Sequence, residues 1–258
     1  MTYIFFALLS AAAAAAAACA AVRLYAAMPS GWLCEYGEEA GPAHESENRC
    51  RHRHAARIVI AVYLFLLLAN MHIRAADQHG SFCVSAGQLA GSYDVNASIS
   101  SIAYVLYFLF EAVFLTAAAL SDIDFCIIPD QMCAAAAASA VIYAAAAGSL
   151  KNAALGSAAG TALILVSAVS GRIISGREAF GTGDIKLMAA CSAAVSAAES
   201  QDWLAAPVVF FAASVILSGI WFSLLLLFKK KKRTDALPMA PWIAVSALAV
   251  LAAGFGGS

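Results

Sequence analysis

Two aspartates at the ends of long apolar runs have the chemistry needed to activate a water molecule. Asp122 follows one run, at the start of the segment DIDFCIIPD (122–130), and Asp184 precedes another, at the end of the segment GTGD (181–184). Ionisable residues at the ends of membrane segments cost free energy to keep and usually serve function. Two adjacent carboxyl groups that share a proton can hydrolyse a peptide bond by acid–base catalysis, as in aspartic proteases.

The residues around the two aspartates predict how the chain positions them. Because proline cannot continue a helix but is accepted in the first turn of a new one, Pro129 marks a helix restart, and Asp122 lies near the C-terminal end of the preceding helix. Gly181 and Gly183 predict a conformationally free loop that brings backbone close to whatever binds there. Asp184 then begins the next helix, near the positive end of its dipole.

The composition is that of a polytopic membrane protein. Of the 258 residues, 63% are hydrophobic and 12% are charged, with a mean hydropathy of +0.82, whereas soluble domains are about half apolar and a quarter charged. We therefore predict an all-α polytopic membrane protein, a bundle of about eight transmembrane helices. A crossing needs roughly 20 residues, and the apolar runs are 3–27, 58–74, 98–120, 131–149, 152–171, 185–199, 203–228 and 239–256. The sixth run is short and rich in small residues, which is typical of a helix packed inside a bundle.

Lysine and arginine side chains concentrate on one face of this predicted bundle. That face carries Arg23, Arg49, Arg51, Arg53, Arg57, Arg172, Arg177, Lys186, Lys229–Lys232 and Arg233, whereas Arg74 and Lys151 fall on the other. Cytoplasmic loops are the ones enriched in Lys and Arg, so we predict a multi-pass protein of the cytoplasmic membrane with both aspartates at the cytoplasmic edge. The near-zero net charge gives no indication of a nucleic-acid partner, and we expect none.

Each aspartate also has a simpler structural interpretation. Taken alone, Asp184 is explained as a helix N-cap, for which Asp is favoured, and Asp122 as a solvated acid at a helix end. These explanations do not account for two such motifs on one side of the membrane. Their joint position favours a functional pair.

The two motifs together resemble those of the type IV prepilin peptidase family of intramembrane aspartic proteases. The chain has Asp-x6-Pro-Asp from Asp122 and, about sixty residues later, Gly-x-Gly-Asp-x-Lys, with a proline-containing segment (237–241) before the last run. The resemblance covers about residues 98–256. It implies that Asp122 and Asp184 are the catalytic pair of an aspartic endopeptidase. Its substrates would be prepilin or pseudopilin precursors of type IV pilus or type II secretion systems, cut at the cytoplasmic membrane edge to remove a short basic leader.

Several residues near the pair are expected to shape the loops or contact the substrate. They are Gly181, Gly183, Pro129, Asp130 and Lys186. We expect Asp130 to cap the fourth helix and Asp124 to be a solvated loop acid. Lys186 is expected either to pair with a carboxylate or lipid phosphate, or to anchor the chain at the membrane edge.

The implied mechanism uses one carboxylate to deprotonate a water and the other carboxyl to protonate the developing oxyanion. A carboxylate is stabilised near a helix N-terminus and destabilised near a C-terminus. We therefore predict that Asp184 ionises more readily and that Asp122 holds the shared proton longer.

The first predicted cytoplasmic loop departs from the family. Residues 1–97 are assigned to N-terminal helices with a short degenerate loop at about 28–57, and residues 98–258 to the catalytic membrane domain. Many members carry two CxxC pairs in this loop, associated with zinc and with N-methylation of the product. Here the possible ligands Cys34, Cys50, His52 and His54 lack the paired spacing of most zinc sites. We favour a basic membrane-edge loop over a Cys/His site, and expect neither zinc, nor S-adenosylmethionine, nor methyltransferase activity.

Other functions remain as alternatives. A protease of the same kind would act on archaellin-like or other precursors with related signal sequences. A proton- or cation-coupled transporter would use the same acids, but such sites are expected near the midplane and in repeated halves, and no internal repeat is evident. Glu111 lies inside the third run, nearly on the Asp122 face of the helix. It is expected either to have a functional role or to form a hydrogen bond between helices. The sequence leaves open the oligomeric state.

Overall fold

The computed structural model describes residues 2–29, 32, 60–69, 95–176, 180–199, 203–228 and 237–254. In these residues the chain forms eight helices and no strand. The helices are α1 (Thr2–Ala27), α2 (Ile60–Ala69), α3 (Val95–Phe125), α4 (Asp130–Ala146), α5 (Leu150–Ser175), α6 (Thr182–Ala198), α7 (Ala205–Leu227) and α8 (Ala240–Gly254). The predicted all-α architecture is confirmed for this part of the chain.

Four of the helices are long and apolar enough to cross a membrane. These stretches are Leu8–Ala27, Ile102–Phe125, Leu150–Ile174 and Ala205–Leu227. Helices α4 and α6 have 17 residues each and α8 has 15, which is less than the roughly 20 residues of a full crossing. The structure thus supports a polytopic membrane protein with four candidate spans, and the predicted number of eight crossings stays a prediction.

Helix α6, which carries Asp184, is packed inside the bundle. From Leu187 to Ala198 all but one of its residues are buried, and most of them are Ala, Ser or Cys. It packs against α4, α5, α7 and α8. Because small side chains let helix backbones approach closely, this composition suits a central helix, as the sequence predicted.

Helices α5 and α6 approach each other closely. Gly156 and Gly160 of α5 face α6, and an added Cβ would overlap the Ser196 hydroxyl at the first position and the Ser192 hydroxyl at the second. The spacing is that of a Gly-x-x-x-Gly motif, which permits close backbone contact between membrane helices. These glycines fix how α5 lies on the helix that carries Asp184.

Helix α8 is held by hydrogen bonds from two tyrosines on other helices. Tyr104 of α3 donates its hydroxyl to the Leu251 carbonyl at 2.7 Å, and Tyr63 of α2 donates to the Val245 carbonyl at 2.6 Å. A buried tyrosine hydroxyl usually needs such a partner. The bonds connect α2 and α3 to the helix whose first residue contacts Asp122.

The outer faces of α5 and α7 are apolar and exposed in the isolated chain. Side chains such as Val166 and Ile173 of α5, and Ile216 and Leu227 of α7, are more than half exposed. A continuous apolar surface on helices of this length is what lipid contact requires. The two helices therefore form the periphery of the bundle, and α6 its interior.

Candidate active site

Asp122 connects the end of α3 with the beginning of α8. Its side chain is buried, and Oδ2 accepts a hydrogen bond of 2.7 Å from the backbone N–H of Ala240. The neighbouring amide of Met239 is also close to this carboxyl. The first amides of a helix lack intrahelical partners and carry the positive end of its dipole. The α8 N-terminus therefore positions the Asp122 carboxyl and stabilises its charged form.

The chain turns sharply just after Asp122. Helix α3 ends at Phe125, and Cys126 adopts a left-handed conformation with φ of 54° while its N–H donates to the Asp122 carbonyl at 2.8 Å. The Ser121 hydroxyl donates to the carbonyl of Ile127 at 2.8 Å. Left-handed backbone is uncommon outside glycine, so the side-chain bond helps to hold the turn. The predicted helix end near Asp122 is confirmed.

The prediction for Asp124 is wrong in part. Asp124 is exposed, as expected, but it lies in the last turn of α3 rather than in a loop, because the helix continues to Phe125. Its Oδ2 accepts a hydrogen bond from the hydroxyl of Tyr25 at the end of α1. Asp124 thus ties α1 to the helix end that carries Asp122.

Asp184 is the third residue of α6 rather than its N-cap. Its Oδ2 accepts a 3.0 Å hydrogen bond from the N–H of Gly181, which occupies the N-cap position. Burial raises the pKa of Asp184 above its ordinary value, and the Gly181 hydrogen bond lowers it by a smaller amount. The carboxyl is therefore held in place from the first turn of the helix, and its surroundings make ionisation less favourable than in water.

Close packing, not loop freedom, accounts for Gly183. Gly181 has a φ of −75° and Gly183 is already helical, so neither is in a left-handed conformation. A Cβ at Gly183 would lie 3.0 Å from the Cβ of Ile128, which is tighter than ordinary contacts allow. The prediction of a conformationally free loop is therefore wrong for Gly183, which lies in the first turn of α6, whereas Gly181 precedes the helix. Gly183 lets the chain segment after Asp122 pack directly on the beginning of α6.

Asp130 and Lys186 form an ion pair beside this contact. The Lys186 Nζ lies 2.7 Å from Oδ1 and 2.8 Å from Oδ2 of Asp130, and both side chains are about half exposed. Pro129 occupies the N-cap position of α4 and no side chain caps the helix. The prediction that Asp130 caps α4 is therefore wrong, because its carboxylate pairs with Lys186 instead. Of the alternatives for Lys186, the structure shows the pairing with a carboxylate.

These contacts bring the two predicted aspartates into one site. The segment after Asp122 meets the beginning of α6, and the charge of Asp184 acts on the Asp122 carboxyl. Each carboxyl accepts a hydrogen bond from an amide at a helix start, of α8 for Asp122 and of α6 for Asp184. Two carboxyls whose charges interact disfavour double ionisation, and sharing one proton relieves the repulsion. The arrangement has the elements needed for general acid–base hydrolysis by water.

The backbone amides of Met239 and Ala240 are the part of the site that the side-chain motifs missed. Backbone groups leave no residue-type signature, and the contact joins positions 118 residues apart. The one available signal was the proline-containing segment 237–241, which the sequence places before the last run. Proline is favoured in the first turn of a helix, and α8 indeed begins within this segment.

Glu111 lies apart from the aspartate site. It is fully buried on α3, where its Oε1 accepts a hydrogen bond from the Ser139 hydroxyl of α4. Within the described residues, Oε2 makes no hydrogen bond. Eleven residues separate Glu111 from Asp122, about 16 Å along the helix, so Glu111 does not contact the pair. The interhelical hydrogen bond is the alternative that the structure shows.

The predicted ligands for a metal lie outside the described structure. Cys34, Cys50, His52 and His54 all fall in 33–59, of which nothing is described. Across the described ranges, no three or more His, Cys, Asp or Glu side chains cluster in a way that would hold a metal ion. The predictions about zinc and methyltransferase activity therefore stay predictions.

The comparisons with known proteins give a single result. The family model described as the type IV leader peptidase family matches residues 109–255. The match includes both aspartate motifs, Lys186 and the 237–241 segment. No curated protein and no solved structure matched the chain.

Proposed function

The chain belongs to the type IV leader peptidase family, and from this premise we propose that it is an intramembrane aspartic endopeptidase acting through Asp122 and Asp184. The family match supports a leader peptidase. The observation that supports the aspartic mechanism is the juxtaposition of the two carboxyls, each hydrogen-bonded to an amide at a helix start. The family match gives no support to the transporter hypothesis.

In the proposed mechanism, the two carboxyls share one proton and act as a unit. The ionised carboxylate takes a proton from a water molecule, whose oxygen attacks the scissile carbonyl. The protonated carboxyl donates to the developing oxyanion, and the tetrahedral intermediate collapses as the leaving amine is protonated. Asp122 is buried, where the local dielectric is lower than in bulk water. Electrostatic interactions with the charges that develop during these proton transfers are therefore stronger. No cofactor enters any step.

We propose that the substrates are prepilin or pseudopilin precursors, cut at the cytoplasmic edge of the cytoplasmic membrane. Such a precursor has a short basic leader followed by an apolar helix. The exposed carboxylate of Asp124 gives the surroundings of the pair acidic character. The apolar helix of the substrate would remain in the bilayer beside the bundle. The proposed partners are this substrate and lipid, without nucleic acid.

Leader cleavage in cells tests the proposed function. We would co-express the protein with each prepilin and pseudopilin precursor of its source organism and measure leader removal by mass spectrometry. Asp122→Asn and Asp184→Asn keep the side-chain volume but remove the ionisable group, so each should lower cleavage at least about a thousandfold, in line with loss of a catalytic group. Glu199→Gln is the matched control, because Glu199 is an acid at the opposite end of α6 from Asp184.

The control should keep cleavage within about threefold of the wild type, an effect well below one catalytic group. Leader removal at the wild-type rate by either Asp122→Asn or Asp184→Asn would overturn the aspartic mechanism. If the wild-type protein cleaves none of the precursors, the proposed substrate class is wrong.

A further inference from the structure

The ion pair between Asp130 and Lys186 connects the two segments that carry the aspartates. Asp130 is the first residue of α4, at the end of the turn that follows Asp122. Lys186 lies two residues after Asp184 in α6. The ammonium group contacts both carboxylate oxygens, at 2.7 and 2.8 Å. Because a lysine ammonium acts as a point charge, these contacts restrict the distance between the two segments.

A second contact joins the same two segments a few residues away. Ile128 packs on Gly183, where even a single added Cβ would lie 3.0 Å from the Ile128 Cβ. A close apolar contact resists approach, and an ion pair resists separation. Together they leave little freedom for the segment after Asp122 to slide along the beginning of α6.

The ion pair is poorly explained as a source of stability. Its side chains are 50% and 47% exposed, and ion pairs in contact with solvent contribute little to folding. Its position beside the Ile128–Gly183 contact gives it a geometric consequence instead. We propose that Asp130 and Lys186 are a positioning pair, which sets the separation of the Asp122 and Asp184 carboxyls without contacting the substrate.

This inference rests on the proposed function, in which the two carboxyls must share one proton and one water. A displacement of about 1 Å between reacting groups lowers a rate by on the order of a hundredfold. Loss of the pair should therefore lower kcat while leaving substrate affinity nearly unchanged. Because the two residues act through one contact, their effects should not add.

A double-mutant cycle in the purified full-length protein tests the pair. Lys186→Met and Asp130→Asn remove charge with little change in volume. Each is expected to lower kcat for a precursor that the wild type cleaves by roughly ten- to a hundredfold, and the double variant should be no slower than the single ones. KM should change less than about threefold, since a positioning pair does not bind substrate.

Two further variants separate positioning from other roles. Lys186→Arg retains a cation that can contact both oxygens of a carboxylate, so it should recover most of the kcat lost in Lys186→Met. Lys151→Met is the matched control, because Lys151 is an exposed lysine at the opposite end of α5 from the site. It should leave kcat unchanged. A loss in Lys186→Met with none in Asp130→Asn would overturn the proposal, because it would assign Lys186 a direct contact with substrate or lipid.

Hydrogen exchange provides a readout that needs no substrate. In the wild type, the backbone amides of segments 126–133 and 180–187 should exchange more slowly than in the two variants that each remove one charge of the ion pair. Lys186→Met and Asp130→Asn are each expected to raise exchange at least about threefold in both segments at once, because the contact holds them mutually. Unchanged exchange in both segments would overturn the positioning role, whatever the activity.

The same experiments distinguish failure of this inference from failure of the proposed function. If Asp122→Asn and Asp184→Asn abolish cleavage while the ion-pair variants keep full kcat and normal exchange, only the positioning role is wrong. If the aspartate variants still cleave but the ion-pair variants show the faster exchange, the contact couples the two segments and the aspartic mechanism is wrong.

Discussion

At the residue scale, the surroundings of the two aspartates are more alike than the sequence predicted. Asp122 was expected to hold the shared proton because it lies at the C-terminal end of α3. The structure also places its carboxyl at the N-terminal end of α8, where the Ala240 amide stabilises negative charge. The dipole of α8 therefore acts on Asp122 as well, and the prediction that Asp122 holds the shared proton longer stays a prediction. A sequence shows which helix a residue belongs to, but not which helix end its side chain reaches.

Asp184 provides a pH-dependent prediction. Burial raises its pKa in the folded protein, so folding favours the protonated form, relative to an unfolded carboxyl with a pKa near 3.9. The wild type should thus lose stability as pH rises through the folded-state pKa, whereas Asp184→Asn cannot ionise. In detergent micelles, we expect the two proteins to melt at similar temperatures near pH 4 and the variant to melt higher at pH 7.

Melting temperatures measured at half-unit steps between these pH values check the sign. A variant that melts lower than the wild type at pH 7, and recovers as the pH falls, would show that the ionised form is favoured in the folded state. The Gly181 hydrogen bond would then outweigh burial. The leader-cleavage rate does not enter this comparison, so it is independent of the catalytic assignment.

At the scale of elements, the glycines show the difference between what the local sequence pattern predicts and what tertiary packing requires. The segment GTGD was correctly associated with the start of a helix. The reason for Gly183 was wrong because its requirement comes from Ile128, a residue 55 positions earlier in the sequence. The same limit applies to Asp130, whose partner Lys186 lies 56 positions away. Apolar runs and proline placement located the elements, with ends up to five residues from those observed for α3 (Val95–Phe125) and α5 (Leu150–Ser175), whereas the contacts between elements required the fold.

The α5–α6 interface gives a prediction that discriminates between two glycines. In Gly160→Ala the added methyl group overlaps the Ser192 hydroxyl, and overpacking of this kind costs about 1–3 kcal/mol. Gly219 of α7 has no atom within 4 Å of the position of an added Cβ. The matched control Gly219→Ala should therefore be neutral or stabilising by up to about 1 kcal/mol through helix propensity.

Thermal unfolding in micelles, followed by a thiol-independent probe such as tryptophan fluorescence, measures both variants. Replacing Ser192 by glycine in the Gly160→Ala background should restore part of the loss, because it removes the atoms that the methyl group meets. Equal melting temperatures for Gly160→Ala and Gly219→Ala would contradict the close α5–α6 approach. The helix that carries Asp184 would then be held by other contacts.

At the scale of the whole molecule, the N-terminal helices are joined to the part that matches the family. The match begins at residue 109, yet Tyr25 of α1 bonds Asp124 and Tyr63 of α2 bonds the Val245 carbonyl. Composition and apolar runs predicted a helical membrane bundle, because these signals are summed over many residues. They did not predict that α4, with 17 residues, would be shorter than a bilayer crossing, since packing inside a bundle removes the need for full length.

The orientation of the bundle gives the last prediction. Lys151 and Arg172 are exposed residues near the two ends of α5, about 32 Å apart along the helix axis, which matches a hydrocarbon core of about 30 Å. The Arg172 end of α5 leads towards Gly181 and Asp184, which the positive-inside rule puts on the cytoplasmic side.

In a cysteine-free background that retains leader cleavage, Lys151→Cys should react in intact cells with a membrane-impermeant maleimide. Arg172→Cys should react only after the membrane is opened, and labelling of both positions in intact cells would contradict the crossing by α5. Labelling of Arg172→Cys alone would place the aspartates on the outer face, where a cytoplasmic leader could not reach them.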